Sequence, residues 1–245
     1  MHLICSPARA AGLRNELFAS LGATSSKKSS RDGGGDGSGD GGGDGGGRRV
    51  PVVVWEPVPD LCVPAHREAL FEALKLVDVV SPNHEELAGF FSDGPLPGGS
   101  SEWATIEHLA SLLLRSGVGP TGDGVVVVRA GKRGCLMASR QRGMVRLPAY
   151  YEAGAGSGNH PKVVDPTGGG NAFVGGLGVG LVRNPGNIVL AAAMGSVAAS
   201  FAIEQIGIPS CETAGCGQGE QWNGARVEER LQAYLKRLAE LGTPL

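Results

Sequence analysis

The stretch best equipped for chemistry is Val163-Val164-Asp165-Pro166-Thr167-Gly168-Gly169-Gly170-Asn171-Ala172-Phe173-Val174-Gly175-Gly176. A short apolar run enters three glycines, and an apolar helix leaves them. Without side chains, Gly168, Gly169 and Gly170 let backbone N–H groups converge on one point. The helix that follows adds its positive N-terminal end. Such a turn suits an anion, phosphate above all. The same residues would equally make a plain glycine-rich turn between strand and helix. Gly-Lys-Ser/Thr is absent, so the turn is not a Walker A loop.

Two other places hold polar residues at useful spacing. In Ser81-Pro82-Asn83-His84-Glu85-Glu86-Leu87, Asn83 stands three residues before Glu86. That is the spacing of a helix cap. The turn Gly131-Lys132-Arg133-Gly134 follows four valines, Val125 to Val128.

The elements that must position these residues follow from apolar patterning. His2 to Ser6 reads as a buried strand and Ala10 to Leu21 as a helix. Pro51 to Trp55 and Val77 to Val80 read as strands, with a helix from Pro64 to Leu76 between them. Asn83 opens a helix, and another runs from Ser101 or Glu102 to Ser116. Val125 to Val128, Cys135 to Ala138 and Met144 to Pro148 are strands. Gly168 to Val182, Ile188 to Ile203 and Val227 to Leu241 are helices. Valine-rich strands separated by helices predict an α/β fold, a parallel sheet covered on both faces. Ligands in such folds bind at the carboxyl ends of the strands, where the polar positions above fall.

Composition excludes several classes. The 245 residues include 42 Gly, yet no Gly-X-Y period marks a collagen. Arg31 to Gly47 alone holds 11 Gly and 4 Asp. Residues 22–49 cannot bury a core and are expected to form a flexible insertion in a single domain spanning 1–245. A calcium-binding repeat is rejected there, because the apolar position of such repeats is missing. A formal charge of -2 gives no reason to expect nucleic acid. Cys5, Cys62, Cys135, Cys211 and Cys216 form no C-x-x-C pair, which favours reduced thiols in a cytoplasmic protein over zinc or disulfides. Asn184 to Ile203 carries no charge, but its alanines and polar residues point to a buried helix and not a membrane span.

The sequence resembles the ribokinase-like sugar kinases of the PfkB family. Their signature, Asp-Thr-x-Gly-Ala-Gly-Asp before an Ala-Phe helix, is similar to Asp165-Pro166-Thr167-Gly168-Gly169-Gly170-Asn171-Ala172-Phe173. Asn83 and Glu86 resemble the family's Asn-x-x-Glu motif. Val125 to Gly134 looks like its strand and Gly-x-x-Gly turn. A fungal subgroup related to the yeast maintenance-of-killer protein looks closest, since its members similarly show Asp-Pro-Thr-Gly-Gly-Gly-Asn and Ser-Pro-Asn-His-x-Glu. The resemblance covers about Pro51 to Leu241.

The resemblance implies a ribokinase-like, Rossmann-like fold and a kinase using ATP and Mg²⁺ on a sugar or nucleoside hydroxyl. It implies that Gly168, Gly169 and Gly170 form the anion hole. Asp165, Thr167, Gly131 and Gly134 would border the nucleotide, and Asn83 and Glu86 would arrange Mg²⁺ through water. Two departures weaken catalysis. Asn171 stands where the family places its catalytic base, and an amide cannot take a proton from a hydroxyl. Family members also place sugar-binding strands, a Gly-Gly segment and a lid before the strand that His2 to Cys5 resembles. The chain therefore reads as a truncated piece of a longer sequence. A non-catalytic nucleotide-binding relative acting through partners is the competing expectation. Neither the acceptor nor the oligomeric state is fixed by these residues.

Overall fold

A computed structural model describes residues 1–28, 51–94, 102–152, 160–213 and 220–245. The Gly/Asp tract of 31–47 and Cys216 lie outside the described residues.

Six strands form the main sheet in the order of the chain: β1 (His2–Cys5), β2 (Val54–Pro57), β3 (Val79–Val80), β4 (Val125–Arg129), β5 (Cys135–Ser139) and β6 (Gly143–Leu147). The first four are parallel, as the valine-rich runs predict. The last two complete the sheet as an antiparallel hairpin and meander. The connections from Gly131 to Gly134 and from Arg140 to Arg142 are too short for a parallel crossover. The sheet is thus mixed, with its parallel half carrying the polar ends.

The direction of travel explains the layers. Three successive crossovers step the same way across the sheet, and right-handed crossovers then fall on one face. That face carries α1 (Pro7–Lys28), α2 (Arg67–Leu74), α3 (His84–Gly89) and α4 (Glu102–Ser116). Their core contains Trp55, Leu70, Leu74, Leu87, Leu109 and Leu113. The opposite face receives α5 (Gly169–Arg183), α6 (Ile188–Ala202) and α7 (Val227–Glu240) over Val54, Val79, Val127 and Met137. The strand period of two assigns neighbouring residues to opposite cores: Val126 and Val128 go with the first and Val127 with the second.

Most predicted elements appear with shifted ends. The first helix runs Pro7–Lys28 instead of Ala10 to Leu21, so the first seven residues of the predicted 22–49 insertion are helical. Pro64–His66 is a 3₁₀ turn, and α2 starts only at Arg67. A small hairpin, β7 (Cys211–Thr213) with β8 (Glu220–Trp222), was not signalled by the sequence pattern. No helix among the described residues is long and apolar enough to cross a membrane. The uncharged α6 has ten buried residues, as expected of a core helix.

Glycine lets α5 and α6 approach closely. A Cβ on Gly180 would meet Ala191 Cα at 2.5 Å, and one on Gly195 would meet Phe173 O at 2.8 Å. This packing fixes the start of α5, where the three glycines lie.

Candidate functional site

The carboxyl ends of β3 and β4 meet the N-terminus of α5 at a cleft of about 480 Å³. Its polar end holds Asn83, Arg129, Lys132, Gly169 and Gly170. Tyr150, Tyr151, His160, Phe173 and Ile203 line the rest.

Gly168 caps α5 with φ +80°, a left-handed conformation that a side chain would strain. Thr167 N–H donates to Asp165 Oδ1 at 2.9 Å, so Asp165 shapes the turn before the helix. That bond, with a second from the Thr167 side chain, holds the Asp165 carboxyl below its ordinary range. Gly169 N–H bonds Pro166 O at 3.1 Å. Gly170 and Asn171 are then the first-turn residues whose N–H groups have no backbone partner among the described residues. Asn171 itself is exposed at the helix start.

Asn83 caps α3 with a reciprocal capping box. Its Oδ1 accepts from Glu85 N–H at 2.9 Å and Glu86 N–H at 2.8 Å. Glu86 Oε2 accepts from Asn83 N–H at 2.7 Å, and Oε1 from Asn83 Nδ2 at 2.8 Å. Glu86 is buried, which raises its carboxyl pKa, while the Asn83 backbone bond and Arg129 act in the opposite direction.

Arg129 was not anticipated from the sequence. It ends the four-valine strand β4, and its backbone N–H bonds Pro82 O beside Asn83. Its Nη2 lies 2.6 Å from Glu56 Oε1, 3.2 Å from Glu86 Oε2 and 3.0 Å from Ser81 O. Glu56 also faces His2 Nε2 at 3.1 Å. A Cβ on Gly170 would fall 2.4 Å from Arg129 Nη1, so the guanidinium lies directly against the glycine turn. A charged residue at the end of a buried valine strand was the available signal.

These contacts bear on Mg²⁺. Asn83 Oδ1 is committed to two backbone N–H groups, and both Glu86 oxygens hold hydrogen bonds. The single Arg129 guanidinium is shared between Glu56 and Glu86. Asn83 and Glu86, expected to arrange Mg²⁺ through water, make their direct contacts with each other, with the start of α3 and with Arg129. No group of three or more His, Cys, Asp and Glu among the described residues is arranged to hold a metal ion.

Gly131 and Gly134 both line the cleft, but Gly134 has a packing reason of its own. It has φ +93°, and a Cβ there would sit 2.0 Å from Leu147 O. Asn83, Gly131, Gly134, Gly169 and Gly170 are therefore brought together around one cleft. Glu86 lies beneath its wall, and Asp165, Thr167, Gly168 and Asn171 lie along its rim, outside the lining.

Helix α7 holds the opposite wall. Tyr234 OH donates to Pro148 O at 2.5 Å, and Arg237 donates to Ala149 O at 2.7 Å and Tyr150 O at 2.9 Å. Tyr151 stacks on His160 at 4.8 Å and donates to Glu204. Arg230 pairs with Glu204 at 2.9 Å and lies 3.8 Å over the Phe201 ring. The cleft thus joins an end of charged side chains, Arg129, Lys132 and Glu85, to an aromatic end.

The model of the pfkB family of carbohydrate kinases matches residues 55–214. Over 202 residues the chain is 32% identical to an uncharacterized protein of Schizosaccharomyces pombe, covering 77% of this chain and 53% of that one. Over 243 residues it is 30% identical to the MAK32 protein of Saccharomyces cerevisiae, covering 96% and 56%. The chain spans little more than half the length of these two relatives. Among solved structures it is similar to a ribokinase of Thermotoga maritima, at 23% identity and a TM-score of 0.47, covering 77% of this chain and 50% of that one.

Proposed function

The chain belongs to the pfkB family of carbohydrate kinases, and we propose that its cleft binds ATP or ADP. The observation that carries this reading is the meeting of Arg129 with Gly170 at the start of α5. A guanidinium and the first-turn residue Gly170 on one cleft favour a phosphate chain. The aromatic end, Tyr150, Tyr151 and His160, offers flat apolar surfaces for a base. Phosphate at the glycine turn and base toward the tyrosines is the orientation this division favours.

Phosphotransfer to a sugar or nucleoside hydroxyl is the reaction we assign if the chain turns over. Asn171 makes it slow, because loss of a general base lowers a rate by about 10²–10⁴. Binding survives this change, since the anion site is built from backbone and Arg129. Non-catalytic nucleotide binding in support of a partner is the second reading, and Asn171 is what favours it. The unpaired cysteines among the described residues fit a reducing compartment, and we place the protein in the cytoplasm. Burial pushes the Cys135 thiol up to about 12, consistent with an inert thiol.

Thermal melting with ADP or ATP tests the site. Both nucleotides should raise Tm, by about 2.7 kcal/mol of added stability at a hundredfold excess over Kd. An unchanged Tm at millimolar nucleotide would refute the reading.

A further inference from the structure

A second groove, of about 360 Å³, runs along another side of α6. Ser200 and Ile203 of α6 face the cleft, while Val197 and Phe201 face this groove. Val179 and Arg183 of α5 stand on one wall, Val227 and Glu228 of α7 on the other. Pro209 and Trp222 add to the lining from the segment between α6 and α7. The apolar surface continues past the groove. Val182, nearly one turn on from Val179, is 64% exposed. Ile206 and Ile208, in the loop that runs into Pro209, are 82% and 91% exposed. Apolar surface of this kind, rimmed by polar residues, marks an interaction site. We propose that this face docks a second copy of the chain, about a two-fold axis through the groove.

The charges select that partner. Arg183 and Glu228 are the charged side chains of the lining, one on each wall. Both are exposed. Neither has an ion-pair partner among the described residues. Each suits its own helix end, Arg183 in the last turn of α5 and Glu228 in the first turn of α7. Across an apolar strip they also make the face complementary to itself. A two-fold axis along that strip exchanges the walls, so Arg183 of one copy meets Glu228 of the other, and the pair forms twice. The same rotation lays apolar strip on apolar strip. An acidic or a basic partner would satisfy one rim charge and repel the other. The inference stands apart from the nucleotide reading, since groove and cleft share no lining residue.

Sedimentation velocity of the whole chain across micromolar concentrations should show monomer and dimer in equilibrium. A monomer at every concentration would overturn the proposal. Arg183→Glu and Glu228→Arg each set like charges together at both symmetric contacts, and each should weaken the dimer by about tenfold or more. The double variant restores opposite charges with the walls exchanged and should return to the wild-type dimer Kd within about threefold. Ile208→Ser removes a side chain that is almost wholly in water in the single chain, so the fold should tolerate it. It should weaken the dimer by about tenfold or more, since each dimer buries two such side chains. A dimer that the single reversals or Ile208→Ser leave unchanged would place association at another surface, such as the open edge of β1, and overturn the proposal. A double variant as weak as the single ones would overturn it too.

Discussion

Gly170→Ala perturbs the one contact on which the anion site depends. The new methyl would lie 2.4 Å from Arg129 Nη1. A relaxed heavy-atom contact is about 3.5 Å, so the guanidinium must retreat by about 1 Å. Arginine side chains often swing away at little cost, but this one is tied to Glu56, Glu86 and Ser81 O. Lengthening the 2.6 Å Glu56 contact by about 1 Å weakens the Coulomb attraction by about 2 kcal/mol at an effective dielectric constant near 20. Alanine returns at most about 1 kcal/mol through its helix propensity. The net effect is a loss of about 1 kcal/mol, or about 2–4 °C in Tm for a domain of this size. Gly178→Ala is the control, in the same helix, with nothing within 4 Å of the new Cβ. It should gain up to about 1 kcal/mol. Thermal melts of the two variants side by side, with ADP titrations, read both consequences. Gly170→Ala should melt below wild type and bind ADP about tenfold more weakly, as expected for loss of a charge-assisted hydrogen bond. If Gly170→Ala melts above wild type, as the control should, the tie between Arg129 and the glycine turn is refuted.

Asn171→Asp restores a carboxylate at the exposed start of α5 and should raise phosphotransfer by about 10²–10⁴ where an acceptor site exists. ADP release over a panel of sugars and nucleosides measures it, and a rate still at zero would favour the binding-only reading. Gly180→Ala drives a methyl to 2.5 Å from Ala191 Cα, backbone that cannot swing aside. It should cost about 1–3 kcal/mol of overpacking, partly offset by propensity, and a rise in Tm would contradict the packing described. Glu204 gives a pH dependence. Burial pushes its carboxyl up, but the Arg230, Tyr151 and Asn223 hydrogen bonds outweigh it and leave the pKa below its ordinary 4.5. A depressed folded pKa means stability that is present above 4.5 and lost as pH falls through the folded value. Glu204→Gln should therefore lower Tm at pH 7 and converge on wild type in strong acid. A gap between the two curves that stays constant with pH would disprove the linkage.

What the sequence disclosed depends on how far apart the cooperating residues lie. The glycine turn and the capping box were legible because each is made within one short segment. Gly168 needs its left-handed φ and Asn83 needs Glu86 three residues later, and both requirements are local. The parallel strands were legible for the same reason, β2, β3 and β4 as valine runs and β1 as the short apolar run Leu3 to Cys5. The β7 and β8 hairpin was not, since its strands are three residues each and carry no apolar alternation. Helix α1 extends seven residues past Leu21 through serine and lysine, where apolar periodicity gives no support for a helix.

The electrostatics of the cleft belong to the illegible class. Arg129, Glu56 and Glu86 sit on three separate elements, and only the parallel register brings β2 and β4 to opposite sides of β3. The Tyr151 and Glu204 contact likewise joins residues 53 apart. Reading Asn83 and Glu86 alone gives a helix cap and leaves the guanidinium between Glu56 and Glu86 out of sight. Asn171 and Arg129 then act on different halves of the chemistry. On the proposed function, the first lacks the carboxylate that would take a proton from an acceptor. The second supplies positive charge where phosphate would lie. On the proposed function, the site keeps nucleotide binding and loses the proton transfer of turnover. Restoring Asp at 171 without disturbing Arg129 separates the two effects.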